Sequence, residues 1–316
     1  MILKLATYIV QTYRSIPKEV PGTMNPKHQA MKPIPRSKLR LAAGKQYFTW
    51  KRYWKWYTSG AIMASDLQLS PLDYKVSEHH TPLLRKLKDV DMRLQYNKIV
   101  NLKLAAERLD GLLLKPGETF SYWRRIGKPT RRKGYVDGMV LYYGGFKAGT
   151  GGGLCQLSNL IYWITLHTPL TVTERHRHSY DVFPDAGRTQ PFGSGATCAY
   201  NYLDLQIENR TSTVYQLKLR LDDIYLYGEW RSADPCPYRY EVYESDHRIT
   251  LEPWGGYIRS NEIRRKKYTH DGELLEDEYV TENKALMMYS PLLPAPETSP
   301  SVYSMEWQPD SVKNSK

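Results

Sequence analysis

Three consecutive glycines, Gly151-Gly152-Gly153, stand directly before a segment with the period of an α-helix, and this junction constrains the fold strongly. Glycine adopts backbone conformations that other residues avoid, so the run predicts a tight turn. From Leu154 to His167, apolar residues recur at i, i+3, i+4 and i+7, which is typical of a helix with one buried face. These residues are Leu157, Leu160, Ile161 and Ile164. The sequence therefore predicts a glycine turn that leads into a helix.

Cys155 lies in the first turn of this predicted helix and shares the face opposite the apolar stripe with Ser158, Asn159 and Tyr162. A structural cysteine is expected within the stripe, because free cysteine behaves as a small hydrophobic residue. A helix N-terminus also favours an anion and lowers the pKa of a thiol. We therefore interpret Cys155 as a reactive thiol that points into a polar cleft. The alternative is a buried helical cysteine beside glycines that only permit tight packing.

A second polar group, Glu174 to Ser179, follows the β-favouring run Leu170 to Thr173. We predict that it lies on a strand, where alternate side chains share a face, so that Glu174, His176 and His178 lie together. One histidine could then act as a general base for Cys155, oriented by Glu174. Two alternatives stay open: the histidines could bind zinc together with the thiol, or they could only pack and form hydrogen bonds.

The glycine run lacks the signatures of phosphate-binding and dinucleotide-binding loops. Its backbone N–H groups, in the Gly152-Gly153 region, could instead stabilise an oxyanion beside a thiolate. The predicted substrate-binding residues are Gly151, Gly152, Gly153, Gln156, Ser158, Asn159, Tyr162, Arg175 and Arg177, with Arg188 as a further arginine. A thiol that follows a glycine loop is not a recurring zinc spacing. We therefore expect no metal and no organic cofactor.

Positive charge is concentrated at the N-terminal end of the chain. The 316 residues carry a formal net charge of +12, and residues 1–65 contain twelve lysines and arginines but one acid, Glu19. The segment from Tyr47 to Tyr57 mixes cations with aromatic residues, a composition typical of segments on anionic membranes. The predicted membrane-binding residues are Trp50, Lys51, Arg52, Trp54, Lys55 and Trp56. The alternative is that the aromatics dock against the domain core while the cations stay solvated. The density of tryptophan disfavours nucleic acid as the partner.

Turn signals and composition favour an α+β fold. We expect a mixed or antiparallel sheet packed with a few helices, followed by C-terminal β-hairpins. The predicted parts are a basic, aromatic-rich arm (1–65) with a helical segment over 37–60, a central domain (66–235), a β-hairpin extension (236–290) and a disordered tail (291–316). The tail is rich in proline and serine, which disfavours a packed core.

Cysteine content and apolar runs bear on the compartment. The three cysteines are too few, and odd in number, for a disulfide framework, which favours a reducing compartment. Cys198 and Cys236 have no histidine nearby in sequence, which favours a structural role for both. Met1 to Val10 is apolar but is interrupted by Lys4, and no signal-peptide cleavage site follows it. No apolar run reaches the roughly 18 residues of a transmembrane helix. We therefore expect a cytoplasmic protein, with membrane association left open.

Several segments of the sequence resemble the VanW family, whose name comes from a component of B-type vancomycin-resistance gene clusters. The segments are Asn101 to Ala106, Leu114 to Ser121, Gly151 to Asn159, Leu166 to Leu170 and Glu174 to His176. The resemblance covers roughly residues 95 to 235. VanW domains of some larger exported proteins are linked to L,D-transpeptidation of peptidoglycan through a cysteine acyl-enzyme. The resemblance implies that Cys155 is the nucleophile and that His176 or His178 is the base.

The function that the resemblance implies is acyl transfer on a peptidoglycan stem peptide or its precursor. Cys155 would attack a peptide carbonyl, and a histidine would return a proton to the leaving amine. Arg175, Arg177, Arg188 and Tyr162 would bind the carboxylate of the peptide stem. The alternative is a non-catalytic accessory protein that docks at the inner membrane surface and binds a cell-wall precursor or a resistance enzyme.

Overall fold

The helices of the protein begin where the sequence provides a capping side chain or a turn. The computed structural model describes residues 37–84, 91–142, 144–183 and 190–291. Its α-helices are α1 (Lys38–Thr58), α2 (Met92–Ala106), α3 (Tyr122–Ile126) and α4 (Cys155–Leu166). The side chains of Ser37, Asp91 and Ser121 accept hydrogen bonds from first-turn N–H groups of α1, α2 and α3, which satisfies donors that a helix leaves unpaired. Within the described residues no side chain caps α4, whose N-cap is the apolar Leu154 at the end of the glycine turn.

The described strands form three four-stranded sheets and one separate hairpin. In chain order the strands are β1 (Ile62–Met63), β2 (Tyr74–Pro82), β3 (Leu112–Leu114), β4 (Glu118–Ser121), β5 (Asp137–Tyr142), β6 (Gly145–Thr150), β7 (Thr171–Glu174), β8 (Tyr180–Asp181), β9 (Gln206–Glu208), β10 (Tyr215–Leu221), β11 (Tyr225–Ser232), β12 (Arg239–Leu251), β13 (Tyr257–Tyr268) and β14 (Leu274–Met287). The sheet orders are β1-β4-β9-β7, β2-β11-β10-β3 and β12-β13-β14-β8, and β5 pairs with β6.

Strand directions make the fold a mixed α+β fold, as the sequence predicts. The β1–β4 and β14–β8 pairs are parallel, whereas the other paired strands are antiparallel. The three longest strands, β12 to β14, form the predicted C-terminal hairpins. Leu286 and Met287 of β14 pair with Tyr180 and Asp181 of β8, so these hairpins are joined to the central part of the chain through backbone hydrogen bonds.

Helix α4 is the centre of the hydrophobic core. Its predicted apolar stripe is confirmed, because Leu157, Leu160, Ile161 and Ile164 are all buried. A Cβ on Gly228 of β11 would lie 3.0 Å from Leu160, so the helix packs closely on the sheet β2-β11-β10-β3. Burial of each such side chain stabilises the fold by about 1.5–3 kcal/mol. This packing fixes the orientation of α4 and therefore of Cys155 at its start.

Helix α1 docks against the central domain through one face. Arg52 and Trp56 are only 7% exposed, and Lys55 forms an ion pair with Glu174. Trp50, Lys51 and Trp54 are exposed on the same helix. The six residues predicted to bind a membrane therefore divide into three that contact the domain and three that face outward.

Several sequence expectations concern residues outside those that the structure describes: residues 1–36 of the arm, the tail from residue 292 onward, and Arg188. Among the described helices, none combines the length and the apolar character needed to cross a membrane.

Candidate functional site

The glycine turn before Cys155 is tightly packed on both sides. Gly151 and Gly153 have positive φ angles of 77° and 90°, a region that side chains rarely allow. A Cβ on Gly152 would lie 2.2 Å from the carbonyl carbon of Gly138 in β5. The turn therefore needs glycine for close backbone approach as well as for its conformation.

Hydrogen bonds occupy part of this turn. Asn101 Nδ2 of α2 donates to the Gly152 carbonyl at 2.9 Å, and the Gly152 amide donates to the Gly149 carbonyl at 2.9 Å. The Gly152 amide is therefore already paired, which opposes the predicted oxyanion role for this residue. The Gly153 amide has no acceptor among the described residues. Of the two predicted donors, the Gly153 amide is therefore the one that the described hydrogen bonds do not use.

Cys155 is the first residue of α4, and its thiol is half-buried. The thiol donates a hydrogen bond to the Cys198 carbonyl, with 3.6 Å between Sγ and O. Burial raises the pKa of the Cys155 thiol, and hydrogen bonds with the backbone of Cys198 and Cys155 oppose this shift only in part. The lowered thiol pKa expected at a helix start is therefore wrong. The free protein carries a protonated thiol at neutral pH.

The polar face of α4 is covered rather than open. Ser158 Oγ donates to the Ala196 carbonyl at 2.7 Å, and Asn159 Oδ1 accepts from the Ala196 amide at 2.8 Å. Ser158 and Tyr162 are buried. The predicted open polar cleft is therefore wrong for Ser158 and Asn159, because they satisfy the backbone groups of an adjacent segment. We call this segment, residues 196–198, the bridging segment.

Gln156 also has a structural role. Its Nε2 donates to Thr81 Oγ1 and to the Pro82 carbonyl, both at 2.9 Å. Thr81 and Pro82 end β2. Gln156 therefore joins the start of α4 to the neighbouring sheet.

The strand predicted over 174–179 ends at its first residue. β7 stops at Glu174, which pairs with Gln206 of β9, and residues 175–178 form neither helix nor strand. The pairing of β7 with β9 ends at Glu174, and the guanidinium of the next residue, Arg175, contacts other parts of the chain. It donates to the carbonyls of Gly195 and Gly193 and to Asn283. The strand face predicted for Glu174, His176 and His178 does not form in the described structure, but Glu174 and His176 still meet, with 3.0 Å between Oε1 and Nε2.

Glu174 is the charged centre of the site. Arg52 donates to both of its carboxylate oxygens, Lys55 Nζ lies 3.1 Å from Oε2, and His176 Nε2 lies 3.0 Å from Oε1. Burial alone would raise the pKa of Glu174. The hydrogen bonds from His176 and Arg52 and the charge of Arg52 outweigh burial and hold that pKa well below its usual range. Glu174 therefore stays ionised.

The two histidines differ in their surroundings. His176 is about one-third exposed and contacts Glu174, an arrangement that orients an imidazole. Burial lowers the pKa of His178 to about 4, and the nearby charge of Arg175 acts in the same direction. His178 is therefore neutral at pH 7. Among the contacts of the described residues, His176 has the carboxylate partner that is expected of a base, and His178 has none.

The bridging segment lies between the thiol and His176. Its Ala196 and Cys198 carbonyls accept from Ser158 and Cys155 on one side, and its Thr197 amide donates to the His176 carbonyl at 2.8 Å on the other. Consecutive residues of an extended segment direct their backbone groups to opposite sides, which accounts for this alternation. Within the described residues, neither histidine forms a hydrogen bond with the Cys155 thiol.

A groove of about 790 Å³ lies beside His176, between α4, β7 and β14. Arg175, His176, Arg177 and Tyr162 line it, and Cys155 does not. Arg175 stacks on the Tyr162 ring at 5.1 Å and is occupied by loop carbonyls. Arg177 is exposed and is the cation there that a ligand can reach most easily.

Sequence reasoning missed Arg52 as a part of this site and assigned it to a membrane-binding surface. It lies 122 residues from Glu174 in the chain, and no local pattern connects the two. In the part of the chain that the structure describes, no cluster of three or more His, Cys, Asp or Glu residues could hold a metal ion.

Comparison with known proteins identifies related sequences. The family model described as VanW like protein matches residues 97–231. The chain is 33% identical over 239 residues to the vancomycin B-type resistance protein VanW of Enterococcus faecalis, covering 76% of this chain and 86% of that protein. It is 30% identical over 110 residues to the uncharacterized protein YoaR of Bacillus subtilis, covering 35% of each chain. No solved structure matches the chain.

Proposed function

Because the chain belongs to the VanW family, we propose that it acts in bacterial cell-wall metabolism linked to glycopeptide resistance. The related protein of Enterococcus faecalis carries vancomycin resistance in its name. We further propose that the chemistry is cysteine-dependent acyl transfer on a peptidoglycan stem peptide. The cytoplasm is the proposed site of action, because all three cysteines are free thiols.

The observation that carries the enzymatic proposal is the position of Cys155. It is a half-buried thiol at the first residue of α4, directly after a turn that excludes side chains. The Gly153 amide of that turn has no acceptor among the described residues and is the available donor for an oxyanion. A nucleophile beside an unpaired backbone donor is the arrangement that acyl transfer requires.

The proposed reaction has two steps. His176 removes the thiol proton, and the sulfur attacks a peptide carbonyl of the stem. The C–N bond breaks, His176 returns the proton to the leaving amine, and a thioester remains on Cys155. An acceptor amine then attacks the thioester, which forms the new peptide bond and restores the thiol.

Glu174 is a positioning residue in this scheme, since its carboxylate contacts His176 at 3.0 Å. The raised pKa of Cys155 makes a base necessary, because a protonated thiol is a weak nucleophile. The bridging segment separates the thiol from His176. The reaction therefore requires this segment to shift when the peptide binds.

Intact-mass analysis after incubation with synthetic stem peptides tests the proposal. We expect an adduct whose mass equals the peptide minus its leaving amine, and we expect none with Cys155→Ala. Cys236→Ala is the matched control and should keep the adduct. An adduct that survives Cys155→Ala would refute the assignment of the nucleophile.

The second candidate function is that of a non-catalytic accessory protein that binds a cell-wall precursor or a resistance enzyme. The observation in its favour is that the Cys155 thiol donates to the Cys198 carbonyl and, within the described residues, forms no hydrogen bond with a histidine. Burial also raises the pKa of this thiol. A stem peptide that binds wild type and Cys155→Ala equally in calorimetry, without any adduct, would establish this function instead.

A further inference from the structure

The outward side of α1 is a continuous apolar and aromatic face. Its residues recur at intervals of three or four along the helix, so they lie on one side of it. We call this side the outer face; its members are Leu39, Ala43, Tyr47, Trp50, Trp54 and Tyr57. Trp50, Trp54 and Tyr57 are 67%, 73% and 75% exposed. Large apolar side chains grouped this way on a surface mark an interaction site.

The charge around the outer face is uniformly positive. α1 contains no acidic residue from Lys38 to Thr58, and the exposed Arg40 and Lys51 lie along one edge of the outer face. Two other cations of α1 are engaged, since Arg52 and Lys55 contact Glu174. The outer face therefore offers aromatic rings together with exposed cations that can meet an anionic surface.

We propose that the outer face of α1 binds the surface of a bilayer that contains anionic phospholipid. Tryptophan and tyrosine favour the headgroup region, where the ring is partly apolar and its polar atom stays hydrated. Lys51 and its neighbours attract phosphate groups, each contributing on the order of 1 kcal/mol. A neutral protein groove would match the rings but would leave these cations without counter-charges.

This binding would connect the membrane to the Glu174 site through a single rigid element. The inner face of α1 carries Arg52 and Trp56 against the domain, while the outer face lies on lipid. The bilayer then lies about one helix diameter, roughly 10 Å, from Glu174. The inference does not depend on acyl transfer, because it rests on α1 alone.

Co-sedimentation of the full-length protein with vesicles tests the proposal. Vesicles of phosphatidylcholine with phosphatidylglycerol should bind the protein at low salt, and vesicles of phosphatidylcholine alone should bind it at least tenfold more weakly. Salt should weaken binding by screening the cations. The double variant Trp50→Ser/Trp54→Ser should lose at least tenfold in affinity. Trp254→Ser is the matched control, because Trp254 is an exposed tryptophan on the β12–β13 turn, and it should bind as wild type does.

A charge reversal provides a second, independent test. Lys51→Glu should weaken binding about fivefold or more, a factor equivalent to about 1 kcal/mol. Arg132→Glu, an exposed cation far from α1 in the sequence, should leave binding unchanged. Circular dichroism confirms that each variant is folded. The proposal is overturned if wild type fails to bind anionic vesicles at low salt, or if the α1 variants bind as their controls do.

Discussion

At the residue scale, the position of Cys155 could be predicted and its protonation state could not. The local sequence places the thiol at the start of a helix, as the structure confirms. The raised thiol pKa comes from burial under residues 196–198, which lie about forty positions later in the chain. No local pattern indicates that contact.

The raised pKa of Cys155 predicts slow, pH-dependent alkylation. The thiol is protonated at neutral pH, so the iodoacetamide rate should rise about tenfold per pH unit and keep rising beyond pH 9. Cys198 is buried, so it should react more slowly than Cys155 throughout. Peptide mass spectrometry of the three cysteines measures these rates.

The same experiment tests whether His176 affects the reactivity of the Cys155 thiol. Since no hydrogen bond joins them in the described conformation, His176→Ala should leave the alkylation rate of the free protein unchanged. It should reduce adduct formation with a stem peptide. Fast alkylation at pH 6 in wild type would contradict the protonated thiol.

Substitution of Glu174 should destabilise the protein. Glu174→Gln removes the charge that compensates the buried Arg52 guanidinium, so the free energy of unfolding should fall by about 3 kcal/mol or more. The control is Glu78→Gln, which breaks an exposed pair with Lys75 and should change stability by less than about 1 kcal/mol. Urea unfolding at pH 7 measures both variants.

The contribution of Glu174 to the free energy of unfolding should depend on pH. The folded-state pKa of Glu174 is depressed, so its stabilisation is fully present above its ordinary pKa of about 4.5 and is lost progressively as pH falls from there toward the folded-state pKa. Wild type should therefore lose more stability between pH 5 and pH 3 than Glu174→Gln does. Parallel profiles for the two proteins would contradict this account.

At the element scale, helices were easier to predict than strands. The apolar stripe of α4 lies within one segment, so the sequence is sufficient to identify it. The strand predicted over 174–179 depends on a pairing partner, and β9 pairs with β7 only as far as Glu174. The contacts of Arg175 with residues 193, 195 and 283 then determine the path of the chain. These contacts are too distant in sequence to predict.

A single methyl group added to the glycine turn should measurably lower the free energy of unfolding. A Cβ on Gly153 would lie 2.2 Å from Lys98 Cγ, at a φ of 90°. Gly153→Ala should therefore lower the free energy of unfolding by more than about 1 kcal/mol.

Gly117→Ala is the matched control for the turn. Gly117 has a similar φ of 78°, but a Cβ added there would have nothing within 4 Å. It should show only the conformational part of the penalty, so the difference between the two variants measures the steric clash. Equal losses in chemical denaturation would show that the close approach contributes nothing.

At the scale of the whole molecule, the sequence predicts the family and the α+β class but not how α1 packs on the central domain. Family resemblance lies in contiguous motifs, which are visible in a single sequence. The docking of α1 depends on Arg52 and Trp56 meeting Glu174 and its surroundings. Composition shows that this segment is basic and aromatic, which leaves docking against the domain and membrane binding as alternatives.

The docking of α1 predicts the effect of truncation. Removal of residues 1–60 would expose the surface covered by Trp56 and leave Glu174 without Arg52, so the melting temperature should fall by several degrees. The control is a chain that lacks only residues 1–30; it keeps α1, so the 1–60 truncation should melt several degrees below it. Calorimetry of the two truncations distinguishes a docked helix from a dispensable arm.

The pairing of Arg52 with Glu174 has a consequence for modular exchange between relatives. The family model matches residues 97–231, a segment that contains Glu174 but not Arg52. A graft confined to those limits would transplant a buried negative charge into a host that lacks the matching arginine. The site therefore extends beyond the segment that matches the family model, and chimaeras should carry α1 together with that segment.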